Sequence, residues 1–495
     1  MLFNSYEYIF VFLPFTFFVY FFLNHFGQPT VAKFWLVIAS LAFYSWWGLV
    51  YLPLICFSIL VNYAAGTALG GAYDRYEILK RWRKAVLAFG IIFNLGLLGY
   101  FKYANFFVDT FNTGTGSNVF LAKIILPLAI SFFTFQKIGY LVDSYRGETR
   151  DYSFLNYALF VTFFPQLISG PIVHHKQIVP QFSKPASWVL NADNVFFGLA
   201  LFGIGLFKKV MIADTFAQWA IPGFDQKVTL DFFEAWTTSL SYTFQLYFDF
   251  SGYTDMAIGS AMLFNIRLPI NFDSPYQAIN IQDFWRRWHI TLSNFLRDYL
   301  YFPLGGNRLG EERTYTNLFL VFLLGGFWHG ASWMFVLWGA LHGAAIVIHR
   351  VWQKLGVRLP TLLAWFITFN FVNIAWVFFR AKDLSSAVKV LKGMFAISSS
   401  SIENLLEKIK AVPNDLTNSE EFPFGFIEKV SSDTKIILLI CFTFIITLSF
   451  RNSVKIVEEK QGSLLGVATG FLFAITILAM YSAKTRVSEF LYFNF

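Results

Sequence analysis

Several windows of this sequence are long and apolar enough to cross a lipid bilayer as helices. Those beginning at Tyr8, Phe154 and Leu464 come close to the roughly 20 apolar residues that a helix needs to cross about 30 Å of hydrocarbon. Hydrophobic residues make up 56% of the chain and charged residues only 14%, which does not describe a soluble surface. A transmembrane barrel would instead show short alternating segments. The sequence therefore predicts an all-α polytopic membrane protein, with residues 1–495 in one membrane domain.

The basic residues predict how the chain is oriented. The formal net charge of +8 does not indicate a nucleic-acid-binding protein, because lysine and arginine concentrate in the cytoplasmic loops of polytopic membrane proteins. The run from Lys80 to Lys84 is therefore predicted to be cytoplasmic. Counting spans from there places both termini outside, with roughly eleven to thirteen membrane-embedded segments. The first apolar window lacks a small-residue cleavage site, so it is predicted to remain as the first helix.

Two apolar stretches, 235–264 and 318–348, have basic residues beyond both ends and are predicted to enter the membrane and return on the same side. The sequence FDFSGYTD at 248–255 would break the first stretch, and GGFWHG at 325–330 would break the second. Broken backbone at membrane depth is tolerated only where protein or a watery cavity satisfies it, so both stretches are predicted to line a cavity. The segment 154–173, in contrast, is predicted to cross the membrane once.

A polar segment, residues 381–435, is predicted to be an extracytoplasmic loop. It contains the serine run SSSS and the proline-containing sequence VPNDLTNSEEFP. Counting of spans places it outside, and long loops translocate largely regardless of their charge. The sequence has no internal repeat of fixed period and no candidate soluble domain.

His329 is an ionisable residue inside an apolar stretch, LGGFWHGASW at 324–333. Placing such a side chain in the membrane costs at least a few kcal/mol, and by default it indicates a functional site. Histidine is also the side chain whose unperturbed pKa lies nearest neutrality, as acid–base catalysis requires. The alternative is a neutral imidazole that a neighbouring helix satisfies, and spacing alone does not separate the two. Trp328 and Trp333 are predicted to wall the site.

A second candidate site lies in DFWRRWHITLSNFLRDYL at 283–300, which predicts one amphipathic helix. Trp285, Trp288 and His289 recur at three- and four-residue steps and would share one face of this helix. Asn280 is a candidate for its N-terminal cap. Such a helix lies at the membrane interface or dips into a cavity. The alternative is a membrane-surface helix with an aromatic anchor.

Four other histidines give no pattern of metal ligands. His174 and His175 are adjacent and would point apart on a helix, and no further ligand stands at a useful spacing, which favours a loop. His342 and His349 share a helical face without an acid or a cysteine to complete a site. His342 is predicted to be a packed histidine, and no metal site is predicted.

Two long motifs resemble a known family. FQLYFDFSGYTDMAIGSAMLFNIRLPINFDSPYQAINIQDFWRRWHITLSNFLRDYLYFPLGGN at 244–307 and GGFWHGASWMFVLWGALHG at 325–343 are similar to the core of the membrane-bound O-acyltransferases, in particular to the alginate O-acetylase branch. The resemblance implies a ring of helices around a central tunnel, with the catalytic motifs in residues 244–343. It also implies that His329 is the family's invariant catalytic histidine, acting as general base or transient acyl acceptor. His289 falls on the second catalytic position, where it would orient His329, bind donor or acceptor, or share the proton transfer.

The resemblance further implies what the enzyme does. Acetyl groups would move from a cytoplasmic thioester donor, acetyl-CoA or a similar acyl thioester, toward an extracellular polysaccharide, with alginate expected first. Peptidoglycan or cellulose O-acetylation and D-alanylation of teichoic acid are the enzymatic alternatives, and a transporter or flippase is the alternative of another class. No permanently bound cofactor is expected. The expected partner is a secreted or membrane-anchored acetyltransferase that modifies the polysaccharide, and the expected location is the bacterial inner membrane.

Overall fold

The computed structural model describes residues 1–70, 77–149, 152–168, 170–417, 431–459, 463–482 and 488–491. Within these ranges the chain is helical and contains no strand, apart from one isolated β-bridge between Phe272 and Trp288. Seven helices in the described ranges are long and apolar enough to cross a membrane, judged by length and composition. The predicted class, an all-α polytopic membrane protein, is confirmed.

The α-helices are α1 (Leu13–His25), α2 (Pro29–Ser45), α3 (Leu52–Gly70), α4 (Glu77–Leu98), α5 (Ala104–Thr115), α6 (Ile130–Tyr145), α7 (Phe154–Thr162), α8 (Phe164–Leu167), α9 (His175–Phe182), α10 (Ala192–Phe207), α11 (Asp214–Ile221) and α12 (Phe232–Leu263). They continue as α13 (Ile281–Arg287), α14 (Ile290–Leu296), α15 (Glu311–His329), α16 (Trp333–Lys354), α17 (Thr361–Arg380), α18 (Leu384–Phe395), α19 (Ser399–Thr417), α20 (Ser432–Ser449), α21 (Ser453–Glu459) and α22 (Ser463–Ser482). Short π-helical segments occur at Glu7–Phe12, Gly99–Tyr103, Lys208–Ala213, Pro222–Gln226 and Arg297–Tyr301.

The stretch 235–264 does not enter and return, so this prediction is wrong. Helix α12 runs through it without a break for 32 residues, about 48 Å at 1.5 Å per residue. Gly252, the expected break, instead allows close packing against α10, because a Cβ there would stand 2.7 Å from the carbonyl oxygen of Gly205. The acidic side chains of the motif are paired, Asp249 with Lys209 at 2.6 Å and Asp255 with Lys208 at 2.7 Å.

The segment 154–173 does not cross the membrane once, so that prediction is also wrong. Helix α7 has nine residues and α8 has four, and nine helical residues reach only about 14 Å. The chain leaves the helical path at Phe163 (φ −48°, ψ 108°), two residues before Pro165. It then returns to its starting point, because His175 Nδ1 lies 3.0 Å from the hydroxyl of Tyr152, just before α7. The segment that enters and returns is therefore 154–173 and not 235–264, for which this path was predicted.

The predicted break in 318–348 is confirmed. Helix α15 ends at His329, residues 330–332 form the turn, and α16 leads back along α15. The two helices approach closely through glycines: a Cβ on Gly326 would stand 2.8 Å from the Cα of Gly339. With 19 and 22 residues, each arm is long enough to approach the full thickness of a bilayer. The hairpin therefore holds His329 at its tip by direct backbone packing.

We expect Gly326→Ala to destabilise this hairpin. The added methyl group would press on the backbone of α16 around Gly339, and backbone cannot yield as a flexible side chain can; overpacking of this kind costs about 1–3 kcal/mol. The measurement is the thermal unfolding midpoint of the detergent-solubilised protein. Gly96→Ala is the matched control, since a Cβ there meets nothing within 4 Å. Equal midpoints for the two variants would contradict this account of the hairpin.

The described part of segment 381–435 is helical. Helix α18 packs against α12 through its buried residues Ala387, Val390 and Met394, and α19 follows it. Residues 418–430 lie outside the described ranges. The extracytoplasmic location of the segment stays a prediction.

Contacts between distant segments define one end of the helix bundle, which we call the Arg83 face and which contains Arg83, Tyr145, Gln181 and Arg267. The Arg83 guanidinium donates to the carbonyl oxygen of Tyr145 at 2.6 Å, and the backbone N–H of Arg267 donates to the Gln181 side chain at 2.9 Å. The contact between His175 and Asp143 joins these two pairs. The C-terminal ends of α6 and α12 therefore lie at the same end of the bundle.

The N-terminal segment lies away from the Arg83 face. Tyr20, near the end of α1, donates to the carbonyl oxygen of Ser187 close to that face, and α1 leads from there back toward the N-terminus. Asn4 donates to the carbonyl oxygen of Ser488 at 3.2 Å, and the Ser488 hydroxyl donates to Asp214 at 2.6 Å. The first residues of the chain and residues 488–491 are therefore neighbours.

Candidate active site

The two predicted site residues lie together in the interior. The ring centroids of His289 and His329 are 6.4 Å apart, although 40 positions separate the residues in the chain. His289 is fully buried and His329 is 4% exposed. Their catalytic role stays a prediction, but the distance allows both imidazoles to contact one bound group.

The stretch 283–300 is not one amphipathic helix, so the shared face expected for Trp285 and His289 is wrong. Helix α13 ends at Arg287, α14 begins at Ile290, and His289 between them has the left-handed conformation (φ 45°, ψ 53°). The break occurs because this backbone bonds to the preceding loop: Asp273 N–H donates to the Arg287 carbonyl at 2.9 Å. The predicted cap is confirmed, with the Asn280 side chain accepting from the N–H of Asp283 at 2.8 Å. The break turns the His289 ring toward His329.

Asn271, which the sequence did not single out, fixes the tautomer of His289. Its Oδ1 lies 3.1 Å from His289 Nδ1 and accepts the backbone N–H of Thr291 at 3.2 Å. Because that N–H can only donate, the atom facing both groups must be the amide oxygen, and His289 Nδ1 must donate to it. In the neutral imidazole the proton is therefore on Nδ1, which leaves the lone pair on Nε2.

His329 is surrounded by aromatic rings. The centroids of Trp328, Trp338 and Phe379 lie 5.1, 5.1 and 5.3 Å from that of His329. The predicted wall is thus half wrong: Trp333 is 56% exposed, because it begins α16 on the outer side of the turn, and Trp338 takes the inner position. Apolar surroundings of this kind strengthen electrostatic interactions.

Lys102 is a polar neighbour of His329 that sequence reasoning missed. Its Nζ donates to the carbonyl oxygens of Trp328 at 2.6 Å and His329 at 2.9 Å, and to Ser131 Oγ at 3.2 Å. It lies in the π-helical segment Gly99–Tyr103, and such bulges frequently occur at functional sites. The available signal was a single lysine in the apolar sequence LLGYFKYANFF.

Two cavities flank the stacked rings of Phe135 and Trp328, whose centroids are 4.7 Å apart. The Tyr299 cavity, of about 200 Å³, is lined by Phe135, Thr291 and Tyr299, together with both His174 and His175. The His329 cavity, of about 60 Å³, is lined by His329, Trp328, Lys102, Ile168 and residues 126–132. His329 thus lines the smaller of these two cavities, whereas His289 is not among the lining residues of either.

His174 and His175 do have a partner, contrary to the sequence-based interpretation. Both Nε2 atoms reach Asp143 Oδ2, at 2.7 and 3.0 Å, and the Tyr299 hydroxyl donates to the same oxygen at 2.5 Å. Asp143 comes from α6, so no local spacing could have identified it. Burial lowers the pKa of His175, and its hydrogen bond to Asp143 opposes this effect only in part.

These three groups are close enough to suggest metal ligands, but the protonation pattern favours hydrogen bonding. His174 Nδ1 accepts the backbone N–H of Lys176 at 3.2 Å, so the proton of its neutral ring lies on Nε2. A metal-bound histidine instead donates from its second nitrogen. Asp143 Oδ2 therefore accepts three hydrogen bonds beside the Tyr299 cavity, and Asp143 Oδ1 accepts a further one from Arg146 at 3.2 Å.

His342 is placed as a packed histidine. It is fully buried, and its Nδ1 accepts the indole N–H of Trp285 at 3.2 Å. The ring of Trp338 lies between His342 and His329, with centroids 4.7 and 5.1 Å away. His342 therefore offers a buried histidine of the same neighbourhood that does not line the His329 cavity.

Comparisons with known proteins agree with the resemblance of the motifs. The model of the membrane-bound O-acyltransferase family, MBOAT, matches residues 114–382. The chain is 46% identical to a peptidoglycan O-acetyltransferase of Helicobacter pylori, over 100% of this chain and 98% of that protein. It is 43% identical to a probable alginate O-acetylase of Pseudomonas aeruginosa, over 82% and 77%. It is 30% identical to a teichoic acid D-alanyltransferase of Bacillus subtilis, over 52% and 70%.

The family match covers more than half of the chain, and relatives named as O-acetyltransferases align with most or all of it. The paired histidines lie within or beside packed membrane helices, as an enzyme acting at the membrane requires. The chain belongs to the membrane-bound O-acyltransferase family and is an O-acetyltransferase.

Proposed function

We propose that this enzyme transfers acetyl from a cytoplasmic acyl thioester toward an extracytoplasmic polysaccharide, with His329 as the general base. The observation that supports this most is the buried pair of His289 and His329, with ring centroids 6.4 Å apart, of which His329 lines a cavity. Histidine can take and return a proton near neutral pH. The apolar rings around His329 limit hydrolysis of the thioester by keeping water away.

In the proposed reaction, His329 removes the proton from the hydroxyl group that accepts the acetyl. The hydroxyl oxygen attacks the carbonyl carbon of the thioester, and the carbonyl oxygen becomes an oxyanion. The tetrahedral intermediate then collapses, the carbon–sulfur bond breaks, and the thiolate receives the proton from the His329 imidazolium. His289, whose Nε2 carries a lone pair, would accept a hydrogen bond from another hydroxyl group of the acceptor and orient it, since the single proton of the reacting hydroxyl goes to His329.

The donor test uses acetyl-CoA and the purified protein in detergent. Release of free thiol should depend on the protein and should be lost in a His329→Ala variant. Binding of acetyl-CoA without thiol release, in a preparation that also moves a lipid or solute across vesicles, would favour the transporter alternative. No acetyl-CoA consumption with or without acceptor polymer would rule out acetyl-CoA as the donor.

For the polymer, we propose peptidoglycan. The relative from H. pylori named for peptidoglycan aligns with the whole chain, whereas the alginate-named relative aligns with 82% of it. Alginate remains the second candidate because of its 43% identity. The D-alanyltransferase relative covers only about half of the chain. The alignments with the peptidoglycan-named and alginate-named relatives extend beyond the shared catalytic region. The branches of the family are expected to differ in these outer parts.

The polymer is tested by measuring base-labile acetate in peptidoglycan and in secreted polysaccharide from strains with and without the gene. Loss of acetate from peptidoglycan alone supports the proposal. Loss from a secreted uronic-acid polymer alone would assign the enzyme to alginate. Restoration by the wild-type gene, but not by His329→Ala, would link either result to the proposed site.

We propose that a secreted or membrane-anchored acetyltransferase completes the transfer, with residues 381–435 as the docking segment. In the part that the structure describes, α19 presents exposed apolar side chains at Ile402, Leu406 and Ile409, which recur at helical spacing. Deleting residues 400–425 should impair acetylation of the polymer while acetyl-CoA consumption continues. Loss of both would indicate misfolding and remove support for docking.

We predict that the Arg83 face is cytoplasmic and that both termini lie outside. Lys184 and Val228 are exposed and lie near opposite ends of α12, so they report opposite sides of the membrane. In a variant without Cys56 and Cys441, Lys184→Cys should resist a membrane-impermeant thiol reagent in intact cells, whereas Val228→Cys should react. The reverse labelling pattern would invert the proposed topology.

A further inference from the structure

Lys102 carries an inference that rests on the proposed function and extends it. This lysine lines the small cavity beside His329, and none of the described carboxylates forms an ion pair with it. A cation held in membrane surroundings without an anion is costly, and such residues generally have a function. The mechanism through His329 and His289 has not used this charge.

The partners of Lys102 explain where the charge acts. Helix α15 ends at His329, so the carbonyls of Trp328 and His329 belong to the last four, which have no partner within the helix. A helix C-terminus carries a partial negative charge of about one half. Left alone, this end of α15 would oppose the negative charge that develops on the thioester oxygen during acyl transfer.

We infer that Lys102 is a positioning residue for acyl transfer: its ammonium group fixes the tip of α15 that carries His329 and cancels the negative potential of that helix end. The three Nζ donors go to the Trp328 and His329 carbonyls and to Ser131 Oγ. All three N–H bonds of the ammonium are thereby used. Lys102 therefore acts through the geometry and the potential of the site and does not itself bind the oxyanion.

Lys137, on helix α6, is a matched control for Lys102. Lys137 on α6 is fully buried and also has no ion-pair partner among the described carboxylates; its Nζ donates to Ser58 Oγ at 2.8 Å and lies 4.1 Å from the centroid of the Phe133 ring. Lys137 contacts neither His329 nor the cavity beside it. Replacing it removes a buried ammonium of the same kind without changing the tip of α15.

The experiment compares Lys102→Met, Lys102→Gln, Lys102→Arg and Lys137→Met by acetyl-CoA consumption, protein level in the membrane and thermal unfolding. Lys102→Met and Lys102→Gln should lower kcat by about 100-fold, the loss typical of removing an electrostatic contribution to the transition state, with KM nearly unchanged. Met has no hydrogen-bond donor, whereas Gln has two N–H donors without a charge, so an equal loss in both variants assigns the effect to the charge. Lys102→Arg should recover at least about a tenth of the rate because it restores a cation.

Three results would overturn the inference. The first is that Lys102→Gln retains kcat within about threefold of wild type, because the charge would then be dispensable. The second is that Lys137→Met loses as much kcat as Lys102→Met. Failure of both neutral Lys102 variants to accumulate, while Lys137→Met accumulates, would assign Lys102 to folding. Retained activity in His329→Ala would instead overturn the proposed function itself, so the two failures are distinguishable.

Discussion

His329→Ala is expected to reduce acetyl transfer by at least about 100-fold, the contribution of a positioned acid–base group. The protein should still accumulate in the membrane, because the substitution removes a polar group from a buried site and adds no charge. His329→Gln should fail equally, since an amide forms hydrogen bonds but does not carry the proton. The measurements are acetyl-CoA consumption by purified protein and acetate content of the polymer.

His342→Ala is the matched control for this result. His342 is also a buried histidine among aromatic rings, but it accepts a hydrogen bond from Trp285 and does not line the His329 cavity. Its loss should lower stability more than it lowers kcat, since the Trp285 indole N–H would lose its partner. Normal acetylation by a well-expressed His329→Ala protein would remove His329 from the mechanism.

His289→Asn is expected to lower kcat by about 100-fold while the protein remains folded. Asparagine tolerates the left-handed backbone that His289 adopts at φ 45°, and it retains a polar group near Asn271. What it loses is the imidazole Nε2, to which the proposed mechanism assigns the orientation of the acceptor. Thermal unfolding and acetyl-CoA consumption, measured on the same preparation, separate the two effects.

His289→Val provides the contrast to His289→Asn. A β-branched residue is strongly disfavoured in this backbone conformation, so the Val variant should lose both stability and activity. If His289→Asn retained acetyl-CoA consumption within about threefold of wild type, His289 would be a structural residue and not a catalytic one.

The sequence predicted the membrane class and the α15–α16 hairpin because these depend on local apolar length and on the glycines around His329. For two other segments, 154–173 and 235–264, the sequence predicted the opposite of the path that the structure shows. The local sequence alone suggests a helix break at Asp249, Asp255 and the glycine between them. Their lysine partners come from the π-helical segment after α10, and only the packed structure reveals that these charges are neutralised within the bundle.

The same distinction holds at the site. His329 and His289 stand out as histidines in long motifs, so the sequence was enough to nominate them. Asn271, Lys102 and Asp143 act through contacts with residues 18 to 227 positions away, and no spacing rule covers such distances. The backbone break at His289 also depends on pairing with the 271–273 loop, which overrides the helical periodicity of 283–300.

The stacked pair of Phe135 and Trp328 has a consequence for the cell that makes this protein. A passage open from the cytoplasm to the outside would let protons and ions run down their gradients and drain the energy stored across the membrane. The two rings, 4.7 Å apart and nearly parallel, separate a cavity lined by Phe135 from one lined by Trp328. If these cavities open to opposite sides of the membrane, the rings would let the chain bring reactants together from separate compartments while the membrane keeps its voltage.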